Sequence, residues 1–128
     1  MSEKLPENLL YSRDYSWVKI EGSTAIVGVI EPAAKKVKEF VFVKLPVKGK
    51  KIRQGETYVS LEAVKWSGHL SSPVSGEIAE VNDALFDRPS DINKDPYGSW
   101  IMKVRMSNSS EAKSLMKAKE AQEWLKEK

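Results

Sequence analysis

The chain has 128 residues, 41% of them hydrophobic and 30% charged, with a net charge of +3. Those values fit one globular domain with one core, so the domain reading is a single unit over residues 1–128. Cysteine is absent and His69 is the single histidine, which excludes disulfides, thiolate chemistry, cysteine-ligated metals and histidine clusters. No apolar run approaches the roughly 20 residues of a membrane span. The stretch Met1-Ser2-Glu3-Lys4-Leu5-Pro6 lacks the apolar segment of a secretory signal. The expected location is the cytoplasm, with no membrane partner.

Residues 1–14 are polar, carry Pro6 and read as a loosely held N-terminal arm. A first strand is predicted over 16–20, ended by Glu21-Gly22, and a buried β-branched strand over 24–30. Pro32 suits the first turn of a short helix reaching Lys38. Phe40-Val41-Phe42-Val43 is a strand, broken by Leu45-Pro46-Val47-Lys48-Gly49. A brief extended piece over 51–53 and a turn at Gln54-Gly55-Glu56 lead to a strand over 58–63. A second strand returns over 66–71, and Pro73 limits its pairing. The strand over 76–81 points Ile78 and Val81 inward and Glu77 and Glu80 outward.

Asn82 is predicted to cap one helical turn reaching Phe86, ahead of a polar loop over 87–97 and a last strand over 100–106. Asn108 and Glu111 have capping-box spacing. Ala112, Leu115, Ala118, Ala121, Trp124 and Leu125 form a stripe at helical spacing, which predicts one C-terminal helix over 108–127. The fold class is mainly β: a β-sandwich or flattened barrel with short helices and a C-terminal helix.

Lys35, Lys36, Lys38, Lys44, Lys48, Lys50, Lys51 and Arg53 are set against one acid, Glu39. This stretch reads either as a solvated face or as a docking patch. Phe40 and Phe42 alternate with valines as strand core and form no stacking platform, so no nucleic-acid partner is expected.

The chemistry-bearing feature is Lys65, in Ser60-Leu61-Glu62-Ala63-Val64-Lys65-Trp66-Ser67. Two predicted strands meet there, which places one amine at a hairpin tip, free to carry a covalent prosthetic group. Its neighbours Val64 and Trp66 are apolar where most turns are polar, as on a surface that another protein recognises. For Trp66 the alternative is a place in the core.

Glu62-Ala63-Val64-Lys65, then Ser72-Pro73-Val74-Ser75-Gly76-Glu77-Ile78, Val81-Asn82-Asp83-Ala84-Leu85, Asn93 and Asp95-Pro96-Tyr97-Gly98 with Trp100 occur in one order. With Ser16-Trp17-Val18, Ile26-Val27-Gly28-Val29 and Phe40-Val41-Phe42-Val43-Lys44-Leu45-Pro46, they resemble the glycine cleavage system H protein family from about Ser16 to Leu125. The resemblance implies a lipoyl/biotinyl-carrier-type fold and a non-catalytic carrier. Lys65 would bear lipoate in amide linkage, and Glu62 and Gly76 would serve recognition by lipoylating enzymes. The arm would carry an aminomethyl group between partner enzymes, with dihydrolipoyl dehydrogenase among them, and would rest in a surface cleft when loaded.

The chain departs from the family pattern on its surfaces. Tyr15-Ser16-Trp17 stands in place of His-Glu-Trp, and Lys48, Lys50, Lys51 and Arg53 invert a usually acidic region. Trp66-Ser67-Gly68-His69 replaces a small, acidic set, and one residue is missing before Trp100. Charge reversal changes partner choice. A second reading is therefore a divergent H-like lipoate-binding protein, carrying sulfur for a heterodisulfide-reductase-like complex in sulfur oxidation. A biotin carrier would have methionines at Val64 and Trp66, and an unmodified binding module would not need Glu62, Lys65 and Gly76 together. Asp83, Asp87, Asp91 and Asp95 read as a solvated loop cluster without EF-hand spacing, so neither a catalytic nor a metal site is expected.

Overall fold

The computed structural model describes residues 5–127. Their strands form two antiparallel sheets. The larger sheet has the order β10-β1-β2-β3-β9-β8-β5 and the smaller the order β4-β6-β7. In chain order the strands are β1 (Leu10–Tyr11), β2 (Ser16–Glu21), β3 (Thr24–Val29), β4 (Phe40–Lys44), β5 (Lys51–Ile52), β6 (Thr57–Ala63), β7 (Trp66–Ser71), β8 (Gly76–Val81), β9 (Met102–Met106) and β10 (Met116–Lys117). Helices α1 (Glu31–Lys36), α2 (Ala84–Asp87), α3 (Asp91–Lys94) and α4 (Ala118–Lys126) are short.

The sheets meet through their apolar faces. Val18, Ala25, Val27, Val29, Ile78 and Val104 of the larger sheet pack in one cluster with Phe40, Val43, Val59, Leu61 and Leu70 of the smaller. Alternation along β3 does this directly: Ala25, Val27 and Val29 are buried while Ile26 is half-buried on the other face. A second core on that outer face joins Leu5, Leu9, Tyr11, Trp17, Ile30, Met116, Ala118 and Ala121. Fully burying such aliphatic side chains contributes about 1.5–3 kcal/mol each.

Four expectations need correction. From Leu5 onward the N-terminal arm is tied down, because Leu5, Leu9 and Tyr11 are buried in the second core and β1 pairs with β2 and β10. The C-terminal helix over 108–127 is interrupted. Ser109–Ser114 is a 3-10 helix, Met116–Lys117 pairs with β1, and only Ala118–Lys126 is α-helical. The physical cause is competition. Met116 gains a buried strand position opposite Tyr11, and Glu111 accepts from the Ser75 N–H (2.7 Å) and Ser75 Oγ (2.8 Å), which draws it away from a capping box. Asn82 does not cap α2 with its side chain, which donates to the Trp100 carbonyl (2.9 Å) instead. The loop over 87–97 contains α3, with Ile92 and Asn93 buried. Val81, placed inward by the alternation, does pack against the main core and is half-buried there.

Candidate functional site

β6 and β7 form one hairpin, with Ala63 opposite Trp66 and Glu62 opposite Ser67. The turn is therefore two residues long, Val64-Lys65. Among the described residues the non-glycine positions with positive φ are Tyr15 and Lys38, so neither turn residue is left-handed. That suits a β-branched valine, for which left-handed backbone is costly. Lys65 is exposed and has no ion-pair partner among the described residues. Val64 is 82% exposed and Trp66 41%. The Trp66 ring leans on Phe40 (centroids 6.1 Å apart) and covers Gly68, so it stands between the two placements its sequence allows. Glu62 is exposed, opposite Phe42 of β4.

The base of the hairpin is held as firmly as the tip is free. The Tyr58 hydroxyl of β6 shares a buried hydrogen bond (2.7 Å) with Ser16 Oγ of β2, which ties the two sheets together. Burial pushes the Tyr58 phenol well above its usual range, the Ser16 bond opposes that rise, and Asp14 adds to it. Asp14 accepts from both the Ser71 N–H (2.6 Å) and Ser71 Oγ (2.7 Å) at the end of β7.

Beside the tip lies an open groove of about 740 Å³. Val29, Ala33, Val37, Phe40, Leu61 and Leu70 give it an apolar floor, Tyr15 one wall, and Val64, Lys65 and Trp66 the edge nearest the turn. Lys36, Lys38 and Glu39 lie at its rim. Both left-handed non-glycine residues, Tyr15 (φ 62°) and Lys38 (φ 72°), line this one groove. Such backbone costs of order 1 kcal/mol or more per residue and concentrates at binding sites. Buried Asn93 fixes the wall between α1 and β4. Its Oδ1 accepts from the Phe40 N–H (2.8 Å) and its Nδ2 donates to the Ala34 carbonyl (2.7 Å). The Lys35 ammonium caps the Asn93 carbonyl at 2.9 Å.

Glu62, Val64, Lys65 and Trp66 are thus gathered at one end of the hairpin, and Gly76 is not. It opens β8 in the other sheet, between β5 and β9, not in a strand adjoining the hairpin. A Cβ there would overlap the Arg105 carbonyl oxygen, so the glycine permits close approach of two strands. The groove residues escape sequence reading because five separate segments build the floor; Asn93 is visible only as part of the family motif. The acidic loop residues are engaged locally: Asp91 pairs with Arg88 (3.1 Å) and Asp95 accepts from the Gly98 N–H (3.2 Å). No group of three or more potential metal-ligating residues occurs among the described residues. No helix among them is long and apolar enough to cross a membrane.

Two sheets with one lysine raised on a hairpin turn define a carrier domain of the lipoyl type. The family model described as Glycine cleavage H-protein matches residues 9–128. A Glycine cleavage system H protein of Clostridium botulinum (strain Loch Maree / Type A3) is 42% identical over 114 residues, covering 89% of this chain and 88% of the relative. A Probable glycine cleavage system H protein of Pyrococcus abyssi is 40% identical over 125 residues, covering 96% and 93%. The crystal structure of a glycine cleavage system H protein from Mycobacterium marinum superposes with TM-score 0.80 at 32% identity, covering 91% of this chain and 94% of that one. The chain belongs to the glycine cleavage H-protein family, whose members are lipoyl carriers and not catalysts themselves.

Proposed function

We propose that Lys65 carries lipoate as an amide and presents it to the enzymes of the glycine cleavage system. One observation carries the reading: an exposed lysine, without an ion-pair partner among the described residues, stands on a two-residue turn whose neighbours edge an apolar groove. The residues fit the group, since a free amine admits a lipoylating enzyme and an apolar floor suits an aliphatic arm. When bound, lipoate supplies a cyclic disulfide that opens to two thiols. The chain supplies the rest. Val64 and Lys65 hold the attachment point clear of the sheets. Phe40, Leu61 and Leu70 exclude water from the groove, and Trp66 walls it nearest the turn. Lys36, Lys38 and Glu39 set the charge at its rim.

Glu62 offers a charged handle to the lipoylating enzyme from the strand leading to the turn. Gly76 keeps its expected part in recognition, acting through the packing of β8 on β9 because it lies in the other sheet. The partners are the enzyme that decarboxylates glycine, the enzyme that takes the one-carbon unit, and dihydrolipoyl dehydrogenase. A cytoplasmic location belongs to the same reading. The sulfur-carrying alternative keeps Lys65 and lipoate and changes the partner. The basic strap over 44–53 is the observation in its favour, while the named relatives are glycine cleavage proteins.

The test is intact mass and peptide mapping after incubation with a lipoylating enzyme, followed by glycine–bicarbonate exchange with glycine decarboxylase. The expected result is one lipoyl increment on Lys65 and exchange at ordinary rates. A protein refractory to every competent lipoylating enzyme would overturn the carrier role. Lipoylation without exchange would move the cargo to the sulfur-carrying alternative.

A further inference from the structure

A second run of lysines without ion-pair partners among the described residues lies below the tip. β4 ends at Lys44, the chain turns through Val47-Lys48-Gly49-Lys50, and it rejoins the larger sheet as β5 at Lys51. The Lys50 N–H donates to the Val47 carbonyl (3.2 Å) and Gly49 has φ +89°, the arrangement of a type II turn. β8 clamps this strap from the side. The Gly49 N–H donates to the Ile78 carbonyl (2.7 Å), and the Ile78 N–H donates to the Lys50 carbonyl (2.9 Å). The charges therefore sit on a fixed platform. A second, smaller groove of about 250 Å³ runs beside it, lined among others by Lys44, Lys50 and Lys51. Val47 lines it too and is 64% exposed.

Among the described residues Lys44, Lys48, Lys50, Lys51 and Arg53 make no ion pair. Two acids beside them are engaged: Glu56 accepts from the Arg53 N–H (2.8 Å), and Glu77, opposite Lys51, pairs with Arg105 (2.9 Å). The net charge of the platform is strongly positive. A single-stranded nucleic-acid surface would call for exposed aromatic rings, and Tyr58, the aromatic residue lining this groove, is buried. A lipid surface would call for a broad apolar face, and the strap offers Val47 alone among the exposed large apolar residues. A carboxylate-rich protein surface with one small apolar depression fits both the charge and the shape.

We infer that the strap over 44–53 docks an acidic surface on an enzyme that uses the Lys65 arm. Lys44 lies opposite Ser60, three residues before Ala63, and the smaller groove extends back to Thr57. At about 3.3 Å per residue the platform starts roughly 10 Å, and ends roughly 20 Å, below the turn. A partner held there leaves the tip and the apolar groove uncovered, so the arm moves while the carrier stays docked. The inference rests on the proposed carrier role, and the experiment separates the two.

The experiment measures KM for the lipoylated carrier with each of the three glycine cleavage enzymes, at roughly 50 and 300 mM salt. It compares the wild type with Lys48→Glu/Lys50→Glu/Lys51→Glu and with the triple arginine variant. Thermal unfolding checks the fold, and Lys48→Glu/Lys50→Glu replaces the triple variant if Lys51→Glu unsettles β5. For at least one enzyme, KM rises about tenfold on charge reversal and rises with salt in the wild type, while kcat and the arginine variant stay unchanged. Unchanged KM with all three enzymes overturns the docking face while leaving the carrier role intact. Absence of turnover by the lipoylated wild type with all three overturns the glycine cleavage partners, and the docking face assigned to them with it, while the lipoyl carrier role stands. Salt-sensitive binding to a DNA duplex or to phosphatidylglycerol vesicles, with enzyme KM unchanged, overturns the assignment to a protein.

Discussion

Two turns of this chain set a lysine beside an exposed valine, and they are built in opposite ways. Val64-Lys65 closes a hairpin without a left-handed residue, and no strand clamps it from the side. Val47-Lys48-Gly49-Lys50 uses a left-handed glycine and is bonded on both sides to Ile78 of β8. One amine that must reach several partners gains from a turn with few attachments. Several charges that must match one surface gain from a turn that cannot shift, since fixing them beforehand removes an ordering cost at binding. Sequence alone shows lysine, valine and turn residues in both places; the anchoring is what separates them.

The largest effect should fall on the tip. Lys65→Arg should abolish lipoylation completely while leaving the unfolding midpoint within error, because the side chain holds up no other group; intact mass and thermal denaturation check both. Gly76→Ala should come next. Its Cβ would overlap a backbone oxygen, and the strand shift required should destabilise the protein by about 3 kcal/mol in denaturant titration. Since Gly76 pairs with Ile52, hydrogen exchange in that variant should quicken in the strap before it quickens at the Val64-Lys65 turn. Equal quickening would remove the contrast between the two turns.

Tyr58→Phe should cost about 1 kcal/mol by leaving the buried Ser16 hydroxyl without its partner. The same phenol gives a pH signature. Its folded-state pKa is raised above the unfolded value of 10.0, so the unfolded chain loses the proton first. Stability should therefore fall as pH climbs above 10, by up to about 1.4 kcal/mol per unit, and Tyr58→Phe should flatten that slope. The smallest pair tests the turns directly. Gly49→Ala should cost about 1 kcal/mol because of its positive φ, while Val64→Gly should change stability by less than about 0.5 kcal/mol. A cost for Val64→Gly as large as that for Gly49→Ala would show the tip to be structurally constrained after all.

Much of this was legible beforehand. Strand alternation in 24–29 and the two strands around Lys65 are local patterns, and local patterns survive folding here. The C-terminal segment was not legible because Ala112, Leu115 and Ala118 keep helical spacing while long-range pairing of Met116 with Tyr11 outweighs local propensity. The arm misled for the same reason: Leu5, Leu9 and Tyr11 look sparse in sequence and are buried in a core that Trp17 and Ile30 share with Met116 and Ala121 from the other end of the chain. Of the candidate site, the amine and its neighbours are contiguous and readable. The groove is not, since Tyr15, Val29, Val37, Phe40, Leu61 and Leu70 share no period and meet only in the assembled sheets.

β4 has a further consequence. It is an edge strand of the smaller sheet, and it leaves Val41 and Phe42 exposed. A free apolar edge is a template on which a second chain can add its own strand. Here the four-residue helix α2 lies alongside, with Phe86 set edge-on to Phe42 at 6.2 Å and the charges of Asp83 and Asp87 at its ends. That small helix acts as a guard against self-association. Conditions that peel it away should raise aggregation through β4 while the lysine tip remains presentable.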